Sequence, residues 1–112
     1  MAKLERTLKC DFDTLLHDIH EGIHESISAS LEEMADYDIP GGRVALRVYE
    51  RYSYFGGNRV SLTVLAVKQG DVVRVCGAST GGSQGVFFKV NTVGEKSFLG
   101  KLSQVLDRFP QI

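Results

Sequence analysis

The sequence predicts a single α+β domain in which two amphipathic helices lie on one face of an antiparallel sheet of four or five strands. Apolar residues recur at helical spacing in the segments 12–27 and 98–109, and they alternate with polar residues in most of the chain between. Glycine-containing turns separate the alternating segments, as they do in hairpins. A chain of 112 residues has the length of one domain, so residues 1–112 are expected to fold as one unit.

The first strand and the first helix follow from a change of period near residue 10. Residues 2–9 alternate, with Leu4 and Leu8 on one side and mostly charged residues on the other, and Arg6 is the exception on the apolar side. Asp11 is a good helix N-cap, and Asp13 lies near the positive end of the helix dipole. Gly22 interrupts the apolar stripe that follows, and we expect a further strand at 27–37.

The remaining elements are three hairpin strands and a second helix. Val44, Leu46 and Val48 alternate with polar or aromatic residues, and further strands are expected at 59–68 and 72–79. Residues 92–95 have the form of a capping box, and the apolar stripe after it ends at Pro110. The expected order is strand, helix, three or four strands, helix, which is similar to the TATA-box-binding-protein-like arrangement. That analogy concerns architecture only.

Three stretches of the chain resemble a family of uncharacterised bacterial proteins of about this length. They are the stretches 47–53, 56–62 and 81–92. The first reads RVYERYS, the second GGNRVSL and the third GGSQGVFFKVNT. The resemblance extends over nearly the whole chain. It implies a single domain and no catalytic residue.

Charge is segregated along the chain although the formal net charge is only −1. Residues 11–38 contain nine acids and no lysine or arginine, whereas residues 43–89 contain seven bases and two acids. Such segregation is typical of solvated faces, or of faces that attract each other within a fold or between subunits.

Composition excludes several classes of protein. No apolar run reaches the roughly 18 residues needed to cross a bilayer, and the charged N-terminal segment does not resemble a signal peptide. Cys10 and Cys76 have no spacing that suggests zinc or a redox pair, and they are expected to be reduced. We therefore expect a cytoplasmic protein with no membrane partner and no cofactor.

His17, His20 and His24 fall within a narrow arc of the first helix, away from its apolar stripe. His20 and His24 are four residues apart, a spacing that suits a transition metal. Metal sites usually take ligands from more than one element, however, and no fourth ligand is evident. The alternatives are metal binding by these histidines, an acidic solvated face with incidental histidines, and a pH-sensitive contact.

A row of arginines and one tyrosine is the second candidate site. Arg47, Tyr49 and Arg51 alternate along one strand, and we expect Arg59 and Arg74 nearby on the same, solvent-facing side of the sheet. Guanidinium groups and a ring could bind an anion or a nucleic acid. The isoelectric point near 6.3 argues against nucleic acid, because nucleic-acid-binding domains are usually basic overall.

The glycine-rich segment 77–91 is the third candidate site. It matches no nucleotide-binding motif, but so long a loop in a small domain could form one wall of a pocket. The polar residues that would anchor a small anionic ligand there are Arg74, Ser79, Thr80, Ser83 and Gln84.

No catalytic motif stands out along the chain. We therefore expect a non-enzymatic binding or interaction module that self-associates as a dimer or higher oligomer through the unoccupied sheet face, with exposed aromatic residues including Tyr49, Tyr54 and Phe55. The alternatives are a small-molecule binder or enzyme with a pocket beside residues 77–91, and metal binding by the helix histidines.

Overall fold

The computed structural model describes residues 2–26, 28–52, 59–81 and 98–112. They form an α+β fold with a five-stranded antiparallel sheet and two helices, as predicted. The strands are β1 (Ala2–Lys9), β2 (Ser30–Ile39), β3 (Gly42–Tyr52), β4 (Arg59–Gln69) and β5 (Val72–Gly81). Helix α1 is Phe12–Ile23, and α2 includes residues 98–106. Neither described helix is long and apolar enough to cross a bilayer.

The strands are ordered β1-β5-β4-β3-β2, with every neighbouring pair antiparallel. The strands β2 to β5 form a meander through three successive connections. Helix α1 joins the two edge strands, β1 and β2, so the chain crosses the full width of the sheet between them. This connection places α1 over the middle of the sheet.

Both helices lie on one face of the sheet, which we call the helix face. A Cβ atom added at Gly22 of α1 would lie 2.3 Å from Val105 of α2, so the two helices are in close contact. One added at Gly77 of β5 would lie 2.4 Å from Leu102, so α2 rests directly on the sheet. The core fills the space between the helices and the strands. Its largest fully buried side chains include Tyr49, Phe98, Leu8, Leu15, Ile19, Ile23, Leu62, Leu102 and Leu106.

Asp11 caps α1, as the sequence predicts. Its carboxylate accepts hydrogen bonds from the backbone N–H and the hydroxyl of Thr14, each at 2.9 Å. These two donors hold the pKa of the Asp11 carboxyl below its usual value. The helix therefore begins at the residue where the apolar period begins.

The predicted strand at 27–37 is displaced in the structure. Helix α1 ends at Ile23, Ser28 has a positive φ of 68°, and β2 runs from Ser30 to Ile39. A bulge near Glu32 interrupts the pairing of β2 with β3. Because β2 is an edge strand, it does not need the apolar alternation that identifies a central strand. The turn expected at 54–58 and the capping box at 92–95 lie outside the described residues.

Candidate interaction surface

The face of the sheet opposite the helices, which we call the open face, presents a continuous block of apolar side chains. Cross-strand pairing aligns them in three rows across β2 to β5. The block consists of Ala35, Tyr37, Val44, Leu46, Val48, Leu65, Val67, Cys76 and Ala78, and we call it the apolar block. Thr63 lies within its third row, between Val48 and Ala78. No described helix covers it.

The area of the apolar block follows from the spacing of the strands. Neighbouring strands lie about 4.8 Å apart and same-face residues about 6.7 Å apart, so the twelve positions of four strands and three rows extend over roughly 400 Å², and the nine apolar positions cover roughly 300 Å². Contiguous apolar patches of that size on a monomer are often functional. Tyr37 is 64% exposed and Leu65 39% exposed, and the other members are half-buried by their own neighbours. The surface is therefore available for contact.

Polar and charged side chains surround the apolar block. Arg74 continues the first row on β5, and Glu33 begins the third row on β2. Beyond the third row, Arg59 forms an ion pair with Glu50 at 2.5 Å and lies over the Tyr52 ring at 5.8 Å. An apolar centre with a charged rim is the usual composition of a protein interface.

Arg47, Tyr49 and Arg51 lie on the helix face, so the prediction that they line the solvent-facing side of the sheet is wrong. Tyr49 is fully buried, and Arg51 is only 2% exposed. Arg51 donates to the Ser26 hydroxyl at 2.8 Å and lies 4.7 Å from the centre of the Phe98 ring. The prediction of an exposed Tyr49 is therefore also wrong. Tyr54 and Phe55 lie outside the described residues.

The error has a simple cause in the register of β3 with β4. Arg47 is paired with Val64 and Tyr49 with Leu62, whereas Arg59 is paired with Tyr52 on the opposite face. Because side chains alternate, a shift of one residue in register moves a whole set of residues to the other face. The aliphatic residues of β3, whose pattern resembles that of a core strand, therefore lie on the open face. The register of β3 with β4 determines this, and the sequence pattern does not predict that register.

Part of the charge segregation along the chain is accounted for by ion pairs within the fold. Arg43 of β3 donates to Asp13 of α1 at 2.9 Å, and Arg47 forms an ion pair with Asp36 of β2 at 3.1 Å. Acidic residues of α1 and β2 therefore flank arginines of β3 on the helix face. This arrangement explains how arginines can point toward the covered side of the sheet.

The helix histidines lie in different surroundings. His17 is exposed, whereas His20 is half-buried with its Nδ1 atom 3.3 Å from the Tyr49 hydroxyl. The His24 ring lies against the His20 ring, with centres 4.2 Å apart and planes tilted by 41°, and its Nδ1 donates to the His20 carbonyl. Within the described parts of the chain, no group of three or more histidines, cysteines or acids could hold a metal ion. The geometry thus lends no support to metal binding by these histidines.

His20 is expected to make the stability of the fold depend on pH. Burial lowers the pKa of the His20 imidazole, and the neighbouring His24 lowers it further. In the unfolded chain a histidine titrates near pH 6.5, so the unfolded state binds the proton more readily. The free energy of unfolding should therefore be highest above about pH 6.5 and should decrease as the pH falls below it.

Urea unfolding at a series of pH values between 5 and 8 tests this expectation. His20→Gln should flatten the profile, and the matched variant His17→Gln on the exposed part of the helix should change it much less, because His17 is the smallest of the influences on the pKa of His20. An equal effect of the two variants would contradict the assignment to His20.

The polar anchors proposed beside the glycine-rich segment do not share one site. Ser79 is fully buried on the helix face, whereas Thr80 and Arg74 belong to the open face. Ser83 and Gln84 lie outside the described residues. The three described anchors therefore do not converge on a ligand.

Comparison with known proteins places the chain in a family. No curated protein and no solved structure matches it. A model for a family of unknown function, DUF6054, matches residues 1–110. The match extends over nearly all of the 112 residues, in agreement with the resemblance to an uncharacterised family noted above. The chain therefore belongs to the DUF6054 family of unknown function.

Proposed function

We propose that this protein is a non-enzymatic interaction module that self-associates through the open face of its sheet. The observation that carries the proposal is the apolar block, which lies on the side of the sheet away from both described helices. Burying such a block removes apolar surface from water and favours association.

The partner proposed for this surface is a second copy of the chain, because the block is self-complementary. A two-fold rotation about an axis parallel to the strands, between β3 and β4, brings Leu46 against Leu65 and Val44 against Val67 of the second copy. The same rotation brings β2 over β5, so the exposed Tyr37 ring faces Arg74, a favourable cation–π pair. Facing sheets pack in this manner about 10 Å apart.

The size of the block fits a dimer of moderate stability. Specific interfaces bury about 800 Å² on each partner. The apolar block would supply somewhat over a third of that area, and the surrounding polar residues would supply the rest.

Sedimentation equilibrium tests the proposal with the variant Leu65→Lys. Two lysines would then lie near the two-fold axis against Leu46, and we expect the dissociation constant of the open-face contact to rise at least tenfold. The control is Gln104→Lys, which adds the same charge at an exposed position of α2. A wild-type protein that stays monomeric at high micromolar concentration, whatever the salt, would contradict the proposal.

Two further expectations belong with this proposal. We propose that the protein acts in the bacterial cytosol, since its two cysteines are free and the sequence resembles bacterial proteins. We also propose a TATA-box-binding-protein-like arrangement, on the basis that one helix follows β1 and another follows β5. That likeness has no bearing on function.

A further inference from the structure

The edge of the sheet formed by β1 differs from the opposite edge formed by β2. The β2 edge has a bulge and exposed acids at Glu32, Glu33, Asp36 and Asp38, features that hinder pairing with another strand. β1 is regular along its whole length, and on the side away from β5 the described residues pair only with its second half, through a bridge between Leu8 and Gln111. It is therefore the edge that can accept another strand.

The chain already uses part of this edge. The N–H of Lys9 donates to the Pro110 carbonyl at 3.0 Å, and the N–H of Ile112 donates to the Thr7 carbonyl at 2.9 Å. The C-terminal residues 110–112 therefore lie along the second half of β1 like a short strand. Because backbone groups alternate along a strand, those of Lys3 and Glu5 point to the same side.

The first half of the edge borders a groove between β1 and α2. The groove has a volume of about 420 Å³ and is lined by Lys3, Leu4, Glu5, Arg6, Leu99, Gly100 and Ser103. A Cβ atom added at Gly100 would meet nothing within 4 Å, so the wall of the groove is open at that point. The Glu5 carbonyl accepts a hydrogen bond from the Arg6 guanidinium at 3.1 Å and keeps a second lone pair.

We propose that this edge pairs with the same edge of a second copy, so that residues 2–6 of two chains form an antiparallel pair centred on Leu4. This register brings Lys3 against Glu5 of the second copy and repeats the same ion pair on the other side of the two-fold axis. Both residues expose most of their side chains, and within one chain their charged atoms lie 3.6 Å apart.

The other contacts in this register also fit. Leu4 would meet Leu4 of the second copy over the groove, close to Leu99. Arg6 would lie opposite Ala2, which is small enough to leave the guanidinium bonded to Ser103 at 3.3 Å. The pairing would end at Thr7, where the C-terminal residues begin. The two sheets would join into one sheet of ten strands.

This interface is independent of the open face, and its test uses a background in which the open face is blocked. The wild type, which has both interfaces, should form assemblies larger than a dimer. In the Leu65→Lys variant we expect sedimentation equilibrium to show a dimer that is held by the β1 edge alone. Adding Lys3→Glu places the new carboxylate opposite Glu5 of the second copy, and the two-fold axis repeats this repulsive pair. The dimer should therefore weaken about tenfold. Combining Lys3→Glu with Glu5→Lys restores opposite charges in the same register and should restore the affinity.

A purely monomeric Leu65→Lys protein would overturn the edge pairing, as would a double variant no tighter than the single one. If wild type and Leu65→Lys are both dimers of equal affinity, the edge pairing stands and the open-face proposal fails. Thermal unfolding of each variant would show that the monomer fold is retained.

Cross-linking provides a second readout of the register. In a chain with Cys10→Ala and Cys76→Ala, the variant Leu4→Cys should form an intermolecular disulfide, because the two Cα atoms of a central pair lie about 4.5 Å apart. The control Thr7→Cys lies roughly 20 Å from its copy in this register and should stay reduced. Equal cross-linking of the two variants would contradict the register.

Discussion

Gly42→Ala is expected to destabilise the protein by about 3 kcal/mol or more, a large fraction of the stability of a domain of this size. A Cβ atom at this position would lie 1.7 Å from the carbonyl oxygen of Lys68 and 2.8 Å from its carbonyl carbon. These atoms belong to the backbone of the neighbouring strand, so they cannot move aside as the end of a side chain would. Accommodating the methyl group requires β3 and β4 to separate.

Gly41→Ala is the matched control in the same hairpin. Gly41 has a φ of +76°, but an added Cβ atom would meet nothing within 4 Å. Its replacement should therefore cost only the backbone strain of a left-handed conformation, about 1 kcal/mol. Urea unfolding of both variants, followed by circular dichroism, measures the difference. Equal destabilisation by the two substitutions would show that strand proximity is not the cause.

The elements whose signals are local could be predicted from the sequence. The Asp11 cap and the apolar stripe identify α1, and the glycine-containing turns identify the hairpins. The alternation along β1 is also a local signal, because it reflects which of a few neighbouring side chains are removed from water on folding. Such features depend on residues a few positions apart.

The face of each strand could not be predicted in the same way. Val44, Leu46 and Val48 are more apolar than Ala45 and Arg47, and simple alternation assigns them to the core. In the structure the helices cover the face of β3 that carries Ala45 and Arg47. The long side chains on that face contact residues that are distant in sequence. Burial of Arg51 depends on Ser26 and Phe98, neither of which is near it in sequence. Only the cross-strand register determines which set meets the helices.

This reversal changes which surface is a candidate for function. Arg47 and Arg51, which the sequence pattern assigns to the open face, lie on the helix face, where Arg47 forms an ion pair with Asp36 of β2 and Arg51 donates to the Ser26 hydroxyl. The aliphatic residues that look like core are left on the open face. An interaction surface composed of such residues escapes sequence reasoning, because it has the same pattern as a buried strand.

Leu62→Ala and Leu65→Ala separate the two faces of one strand by experiment. Leu62 is fully buried against the helices, so its truncation should lower the free energy of unfolding by about 2 to 5 kcal/mol. Leu65 is 39% exposed on the open face, and its truncation should change the stability of the monomer by only about 0.5 kcal/mol. The chemical change is identical, so any difference reports the environment.

The same two variants should have the opposite ranking in self-association. Leu65→Ala removes apolar contact from the open face and should weaken the dimer several-fold, whereas Leu62→Ala should leave the dissociation constant unchanged under conditions where it is folded. Urea unfolding at low protein concentration gives the first ranking, and sedimentation equilibrium gives the second. If Leu65→Ala weakens folding as much as Leu62→Ala and leaves association intact, the open face is part of the monomer core and the proposed interface is wrong. A leucine needed for association but not for folding is what an interaction surface on this face of the sheet requires.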